Sequence, residues 1–251
     1  MRPALFTDLY ELNMAQAYRS EGMRQTAVFE LAYRKLPDRR NYILAGGIAD
    51  AVRFLSEFRF SEEELAWLKT QPGFSEPFIA SLEQLRFTGD VYAVPEGTLV
   101  FPNEPLLQVI APITEAQVVE TALLNLIHFE SLVLTKAARI VSAARGREVV
   151  DFGSRRAPGE DAALSVARAI WLAGGHGTSN VLAGKLWGIP VFGTMAHSYI
   201  QAHETEEDAF CAFASMNPET TLLVDTYDTL RGVQLVIDLK RKMGDRFRVR
   251  A

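Results

Sequence analysis

The sequence predicts an α/β protein in two parts. Residues 1–113 read as an irregular α+β domain with a small antiparallel unit. Residues 114–251 read as a helical connection leading into the first βα units of a parallel α/β barrel, incomplete at its C-terminal end. Three observations point there. From Glu148 onward, short apolar runs alternate with helix-length segments, the pattern of parallel βα units. Residues 89–112 break into β-prone runs around Pro95-Glu96-Gly97 and Pro102-Asn103-Glu104-Pro105, which suits antiparallel strands with tight turns. Only four strands can be read after residue 147, whereas a closed barrel needs about eight and roughly 250 residues. The last of them, 247–250, would leave an uncovered sheet edge. A small open α/β sheet and the front part of a longer barrel protein are both compatible with this pattern, and the second is favoured.

Taken in order, Thr7 precedes Leu9, Leu12, Met14, Ala15 and Tyr18 on one helical face, with Gly22 beyond them. Thr7 is the expected cap and Gly22 the stop. Residues 27–33 read as a strand, 34–40 as a basic turn around Pro37, and 42–54 as a helix interrupted at Gly46-Gly47. Ser61 with Glu64 makes a capping box before Leu65, Trp67 and Leu68, and Pro72-Gly73 ends that helix. Phe78, Leu82 and Leu85 space another short helix.

Thr114 with Gln117 reads as a second capping box. The apolar pattern behind it is longer than an ordinary globular helix, so two helices with a break near Phe129-Glu130 are expected. Strands follow at 148–152, 190–192 and 221–224. Helices follow at 162–173, 180–187, 198–214 and 229–243, the last stopped by Gly244. A glycine-rich loop spans 174–179.

Composition bounds the function. Hydrophobic residues make up 48% and charged residues 23% of the 251 residues, ordinary for a globular protein with a real core. The net charge of −5 argues against bulk nucleic-acid binding. A single cysteine, Cys211, permits no intrachain disulfide and fits a reducing compartment, so a cytoplasmic location is expected. No targeting segment or membrane span is expected.

Chemistry gathers where strands end, the place where α/β proteins hold ligands. After the first strand come Arg155 and Arg156, whose guanidinium forks match phosphate or carboxylate geometry. A surface ion pair with Glu160 or Asp161 is the plain alternative. After 190–192 come Thr194, His197 and Ser198. A histidine there is placed to meet substrate, or merely starts a helix. After 221–224 come Asp225, Thr226, Tyr227 and Asp228, which could hold ribose hydroxyls or magnesium; for Asp228 the alternative is a helix cap. Tyr10 by itself reads as a surface or interface residue. Gly174-Gly175-His176-Gly177 fits no phosphate-loop pattern and suits helix termination. His203 with Glu206 or Glu207 lacks a second histidine on its turn, so no metal site is expected. No nucleophile elbow is present.

Five strings together resemble the nicotinate phosphoribosyltransferase family: Thr7-Asp8-Leu9-Tyr10; Asp151-Phe152-Gly153-Ser154-Arg155-Arg156-Ala157; Thr178-Ser179-Asn180-Val181-Leu182-Ala183-Gly184; Gly193-Thr194-Met195-Ala196-His197-Ser198; and Val224-Asp225-Thr226-Tyr227-Asp228-Thr229. They stand in family order across nearly the whole chain. The resemblance implies a barrel of the type II phosphoribosyltransferase kind. It implies an enzyme of NAD biosynthesis that joins nicotinate to 5-phosphoribosyl 1-diphosphate, releasing nicotinate mononucleotide and diphosphate. ATP with Mg2+ would be a co-substrate, with no tightly bound cofactor, and its hydrolysis would be coupled through a phosphohistidine at His197. Nicotinate contacts fall on Tyr10 and Thr194, with Tyr10 supplied by the neighbouring subunit of a homodimer. Arg155 and Arg156 hold anionic substrate groups, while Ser198, Asp225 and Thr226 complete the substrate-binding set.

The family pattern continues beyond Arg250 with an acidic strand-end motif, a further arginine and later phosphate loops. The glycine loop around His176 is also shorter than usual. The expectation is therefore that these 251 residues alone are inactive. A nicotinamide phosphoribosyltransferase-like enzyme and a non-catalytic dimerising fragment are the rival readings.

Overall fold

The computed structural model describes residues 2–36, 38–244 and 247–249. It divides into two compact units, Met1–Val191 and Phe192–Ala251. The boundary expected at 113/114 falls inside the first of these.

The first unit opens with α1 (Leu9–Ser20), followed by β1 (Thr26–Ala32). The N-cap of α1 is Asp8 rather than Thr7. Thr7 instead donates to Glu11 and to the carbonyl of Val118 at 3.0 Å. The helix expected over 42–54 is split. Ile43–Leu44 is the short strand β2, and α2 starts only at Ile48 and runs to Glu57. Gly47 explains the split, with φ +79 and an added Cβ falling 2.6 Å from the carbonyl oxygen of Leu126. Only glycine allows that backbone conformation at that approach.

Helices α3 (Glu62–Thr70) and α4 (Glu76–Glu83) follow. The Ser61–Glu64 capping box forms as expected, with bonds of 3.3 and 2.7 Å.

Then come β3 (Asp90–Ala93), β4 (Leu99–Val100) and β5 (Pro105–Pro112). The antiparallel unit is real but larger than expected. Central β5 pairs with β3 on one side and β1 on the other, with Phe29 opposite Val109, while β4 pairs with β2.

Helix α5 (Ile113–Val118) leads directly into α6 (Glu120–Ala144). The expected Thr114–Gln117 capping box is absent: α5 starts at Ile113 behind Pro112, and Gln117 donates to Glu120 at 2.9 Å. The expected break at Phe129-Glu130 is absent too. α6 runs through it because Leu126, Ile127, Ser131, Leu134 and Thr135 keep one face buried, and tertiary burial outweighs local polarity. The hydroxyl of Ser131 accepts from Gly46 N at 3.0 Å, and that of Thr135 accepts from Leu44 N at 2.9 Å. These bonds dock the β2 segment on α6.

The parallel part is thin. β6 (Val150–Asp151) is followed by α7 (Glu160–Leu172), β7 (Gly177–Thr178) and α8 (Val181–Trp187). β6 pairs parallel with β7, and the strand expected at 190–192 reduces to a parallel bridge from Val191 to Thr178. β7 lies inside the glycine loop, where no strand was expected. The core of this unit includes Ile43, Phe54, Leu68, Leu82, Leu106 and Ile127.

The second unit carries α9 (His197–Gln201), α10 (Glu206–Met216) and α11 (Thr229–Met243). The single helix expected over 198–214 is thus two. Thr205 caps the second, accepting from Asp208 N at 3.1 Å. Of the strand expected at 221–224, only Thr221 makes a β-bridge. Of the strand expected at 247–250, residues 247–249 are not in a strand and Arg250 lies outside the described residues, as does Pro37 of the basic turn. Ile200, Phe210, Leu222 and Leu239 form the core here. Among the described residues there is no closed barrel, and no helix is long and apolar enough to cross a membrane.

Candidate functional site

In the first unit the Arg155–Arg156 turn is built by three polar residues. Asp151 ends β6 with its carboxylate 5% exposed. One oxygen accepts from Gly153 N and the other from Thr178 Oγ1, both at 2.8 Å. Thr178 is fully buried at the end of β7, and its hydroxyl also accepts from Asn180 N at 3.0 Å. Asn180 caps α8 by accepting from Ala183 N, and its amide donates to Ser154 Oγ at 3.2 Å. The first residues of the turn, Gly153 and Ser154, are therefore both held.

Ser154–Arg156 then forms one turn of 3₁₀ helix. Both arginines are exposed, and among the described residues neither pairs with a carboxylate. The ion pair with Glu160 or Asp161 does not form. What stands there is a doubly cationic turn on a buried hydrogen-bonded base, a geometry suited to an oxyanion.

Tyr10 lies on the first turn of α1 and is 50% exposed, beside exposed Leu9. Its neighbour Glu11, just beyond that string, is fully buried. The Glu11 carboxylate takes bonds from Thr7, from Thr121 N at 3.1 Å and from Thr121 Oγ1 at 3.0 Å. Burial pushes its carboxyl above the ordinary carboxylate range, against the pull of those hydrogen bonds. Glu11 thereby staples α1 to the start of α6, which fixes where Tyr10 stands.

In the second unit, His197 begins α9 and is exposed. Its Nδ1 lies 3.2 Å from Thr226 Oγ1. The Thr194 hydroxyl donates to the carbonyl of Thr221, so the 193–198 loop is tied to the 221–226 segment twice. Ser198 and Asp225 are exposed on the same two segments. Asp228 takes its plain role, capping α11 by accepting from Arg231 N at 2.8 Å. Gly232 lets α11 lie against the segment before Asp225: a Cβ there would sit 2.3 Å from the carbonyl oxygen of Val224.

Residues 5–128 match the nicotinate phosphoribosyltransferase N-terminal domain, and residues 147–248 match the nicotinate phosphoribosyltransferase family. The chain belongs to the nicotinate phosphoribosyltransferase family. It is 61% identical over 248 residues to the nicotinate phosphoribosyltransferase pncB2 of Mycobacterium tuberculosis, covering 99% of this chain and 54% of that protein. It is 44% identical to the nicotinate phosphoribosyltransferase of Bacillus subtilis, over 97% of this chain and 50% of that one. The crystal structure of human nicotinic acid phosphoribosyltransferase superposes with a TM-score of 0.88 at 33% identity, covering 97% of this chain and 59% of that chain. The fold also matches nicotinate-nucleotide pyrophosphorylase from Pyrococcus furiosus, with a TM-score of 0.77 at 24% identity. The chain spans about half the length of the curated relatives it matches.

The predicted residues fall into two groups. Tyr10, Arg155 and Arg156 belong to the first unit, and Thr194, His197, Ser198, Asp225 and Thr226 to the second. Within the second, His197 and Thr226 are brought into contact. Sequence reading missed the supporting carboxylates and amide, Asp151, Glu11 and Asn180. Asp151 and Asn180 stand inside the family strings, but only burial shows that they face inward.

Proposed function

We propose that this chain carries part of a nicotinate phosphoribosyltransferase, an enzyme joining nicotinate to 5-phosphoribosyl 1-diphosphate with ATP hydrolysis coupled through His197. The observation that carries the reading is the His197–Thr226 pair, formed within a chain of this family. In the tautomer whose Nδ1–H donates to Thr226 Oγ1, Nε2 holds the lone pair. That nitrogen attacks the γ-phosphorus of ATP, the bond to the β-phosphate oxygen breaks, and ADP leaves with the electron pair. Mg2+ accompanies ATP as its counter-ion.

Arg155 and Arg156, without a carboxylate partner among the described residues, receive the anionic groups of the substrates. Ser198 and Asp225, exposed in the second unit, bind substrate beside His197. Thr194 and Tyr10 contact nicotinate, with Tyr10 reaching the site of a neighbouring copy in a homodimer. In-line displacement at the ribosyl carbon needs pyridine nitrogen and diphosphate held in register. A cytoplasmic location belongs to the proposal and rests on the single cysteine, Cys211.

The test is the intact mass after incubation with Mg-ATP, for the wild type and His197→Ala. One added phosphoryl group in the wild type, absent from the variant, supports the reading. A phosphoryl group gained equally by the wild type and His197→Ala would remove His197 as the acceptor.

A further inference from the structure

Outside the proposed site, the first unit buries a cluster with more acid than base. Glu130, in the middle of α6, is 2% exposed. Its Oε2 accepts from Arg168 Nη1 at 2.9 Å, while its Oε1 is buried without a hydrogen-bond partner among the described residues. Arg168, on α7, is shared: it also forks onto Glu96, from the turn between β3 and β4, at 3.1 and 2.6 Å. Asp50, on α2, faces Glu130 within side-chain hydrogen-bonding reach. Its cation is the exposed Arg53, 3.4 Å away. The groups facing Glu130 are therefore Asp50, Glu96 and Arg168: two carboxyls and one guanidinium.

Three ionised carboxylates cannot share one partly buried guanidinium without leaving charge uncompensated. Two carboxylates are also acceptors only, so Glu130 and Asp50 cannot bond to each other unless one carries a proton. Glu96 is not the holder, because the Arg168 fork outweighs its desolvation and keeps its carboxyl below the ordinary range. Asp50 is served by Arg53. Glu130 is left with the orphan oxygen.

We propose that Glu130 keeps a proton in the folded chain and donates it to Asp50, so that the cluster clamps α2, α6 and α7 together only while that proton is held. Burial, reinforced by Asp50 and Glu96 and opposed by Arg168, lifts the Glu130 carboxyl from 4.5 to about 7. The folded state thus binds one proton more than the unfolded chain between those values. The clamp's contribution is full below 4.5, falls as pH rises and is gone above about 7. In that window the unfolding equilibrium constant rises by up to about tenfold per pH unit on this group's account. Because the Arg155–Arg156 turn leads straight into α7, loss of the proton loosens the helix next to that turn.

The experiment compares urea unfolding of the wild type and Glu130→Gln between about pH 5 and about pH 8. The glutamine amide replaces the proton with a permanent donor. The expected result is a fall in wild-type stability with pH that Glu130→Gln lacks, with faster hydrogen exchange in residues 160–172 of the wild type alone at the alkaline end. Parallel pH curves for the two proteins overturn the proposal. If Glu130→Gln does not fold, a carbon-13 titration of the wild-type Glu130 carboxyl decides the matter. A protonated signal at about pH 6 supports the clamp, and an ionised one overturns it.

Discussion

His197 Nδ1 and Thr226 Oγ1 meet at 3.2 Å across 29 residues of sequence. The contact restrains the ring plane, and in the tautomer whose Nδ1–H donates to Thr226 it leaves the Nε2 lone pair free for attack. Thr226→Val keeps the shape and removes the hydroxyl. A lost neutral hydrogen bond is worth about 1 kcal/mol, which corresponds to about a fivefold slower phosphorylation of His197 by Mg-ATP. A time course of intact mass measures it, and a rate equal to wild type would show that the bond orients nothing.

Asp151 supports two bonds from a nearly buried position, to Gly153 N and to the fully buried Thr178 hydroxyl. Asp151→Ala strands both donors. The expected cost is about 2–6 kcal/mol, since each buried unsatisfied group costs about 1–3. Asp151→Asn keeps one of the two acceptor oxygens and should cost less. Urea midpoints of the two variants rank them, and equal destabilisation would mean that charge rather than acceptor count matters here.

Gly47 and Gly22 both have positive φ, at +79 and +72, but only Gly47 is crowded. Gly22→Ala meets open space and should cost about 1 kcal/mol of backbone strain. Gly47→Ala adds a clash with the backbone at Leu126 and Ile127, so a cost of at least about 3 kcal/mol is expected. Thermal unfolding of the pair separates strain from close packing. Similar losses would show that α2 can shift away from α6.

These particulars also explain what was legible in the sequence. Arg155, Arg156, His197 and Thr226 stand in strings whose residue types announce chemistry, so they could be named before any fold was known. Glu130 could not be. A glutamate in an apolar run reads as a break, and the arginine that makes its burial possible is 38 residues away in α7. β7 was missed for a different reason: it has two residues, one of them Gly177, and its partners Val150 and Val191 lie far off in sequence. Periodicity carries no signal over two residues. The division of 198–214 into α9 and α10 was visible in principle, since Thr205 stands three residues before Asp208 as an N-cap should.

Arg155 and Arg156 lead to the last prediction, which separates binding from folding. Both are exposed and neither has a carboxylate partner among the described residues. Removing such a charge changes stability by no more than about 0.5 kcal/mol. A charge-assisted bond to an anion is worth about 1.5–3 kcal/mol. Arg155→Ala and Arg156→Ala should therefore melt like the wild type yet bind inorganic diphosphate about tenfold to a hundredfold more weakly. Calorimetric titration at two salt concentrations measures this, since an ionic contact must weaken as salt rises. If either variant loses stability, that arginine has a folding partner; if affinity is unchanged, the cationic turn is not where the anion sits.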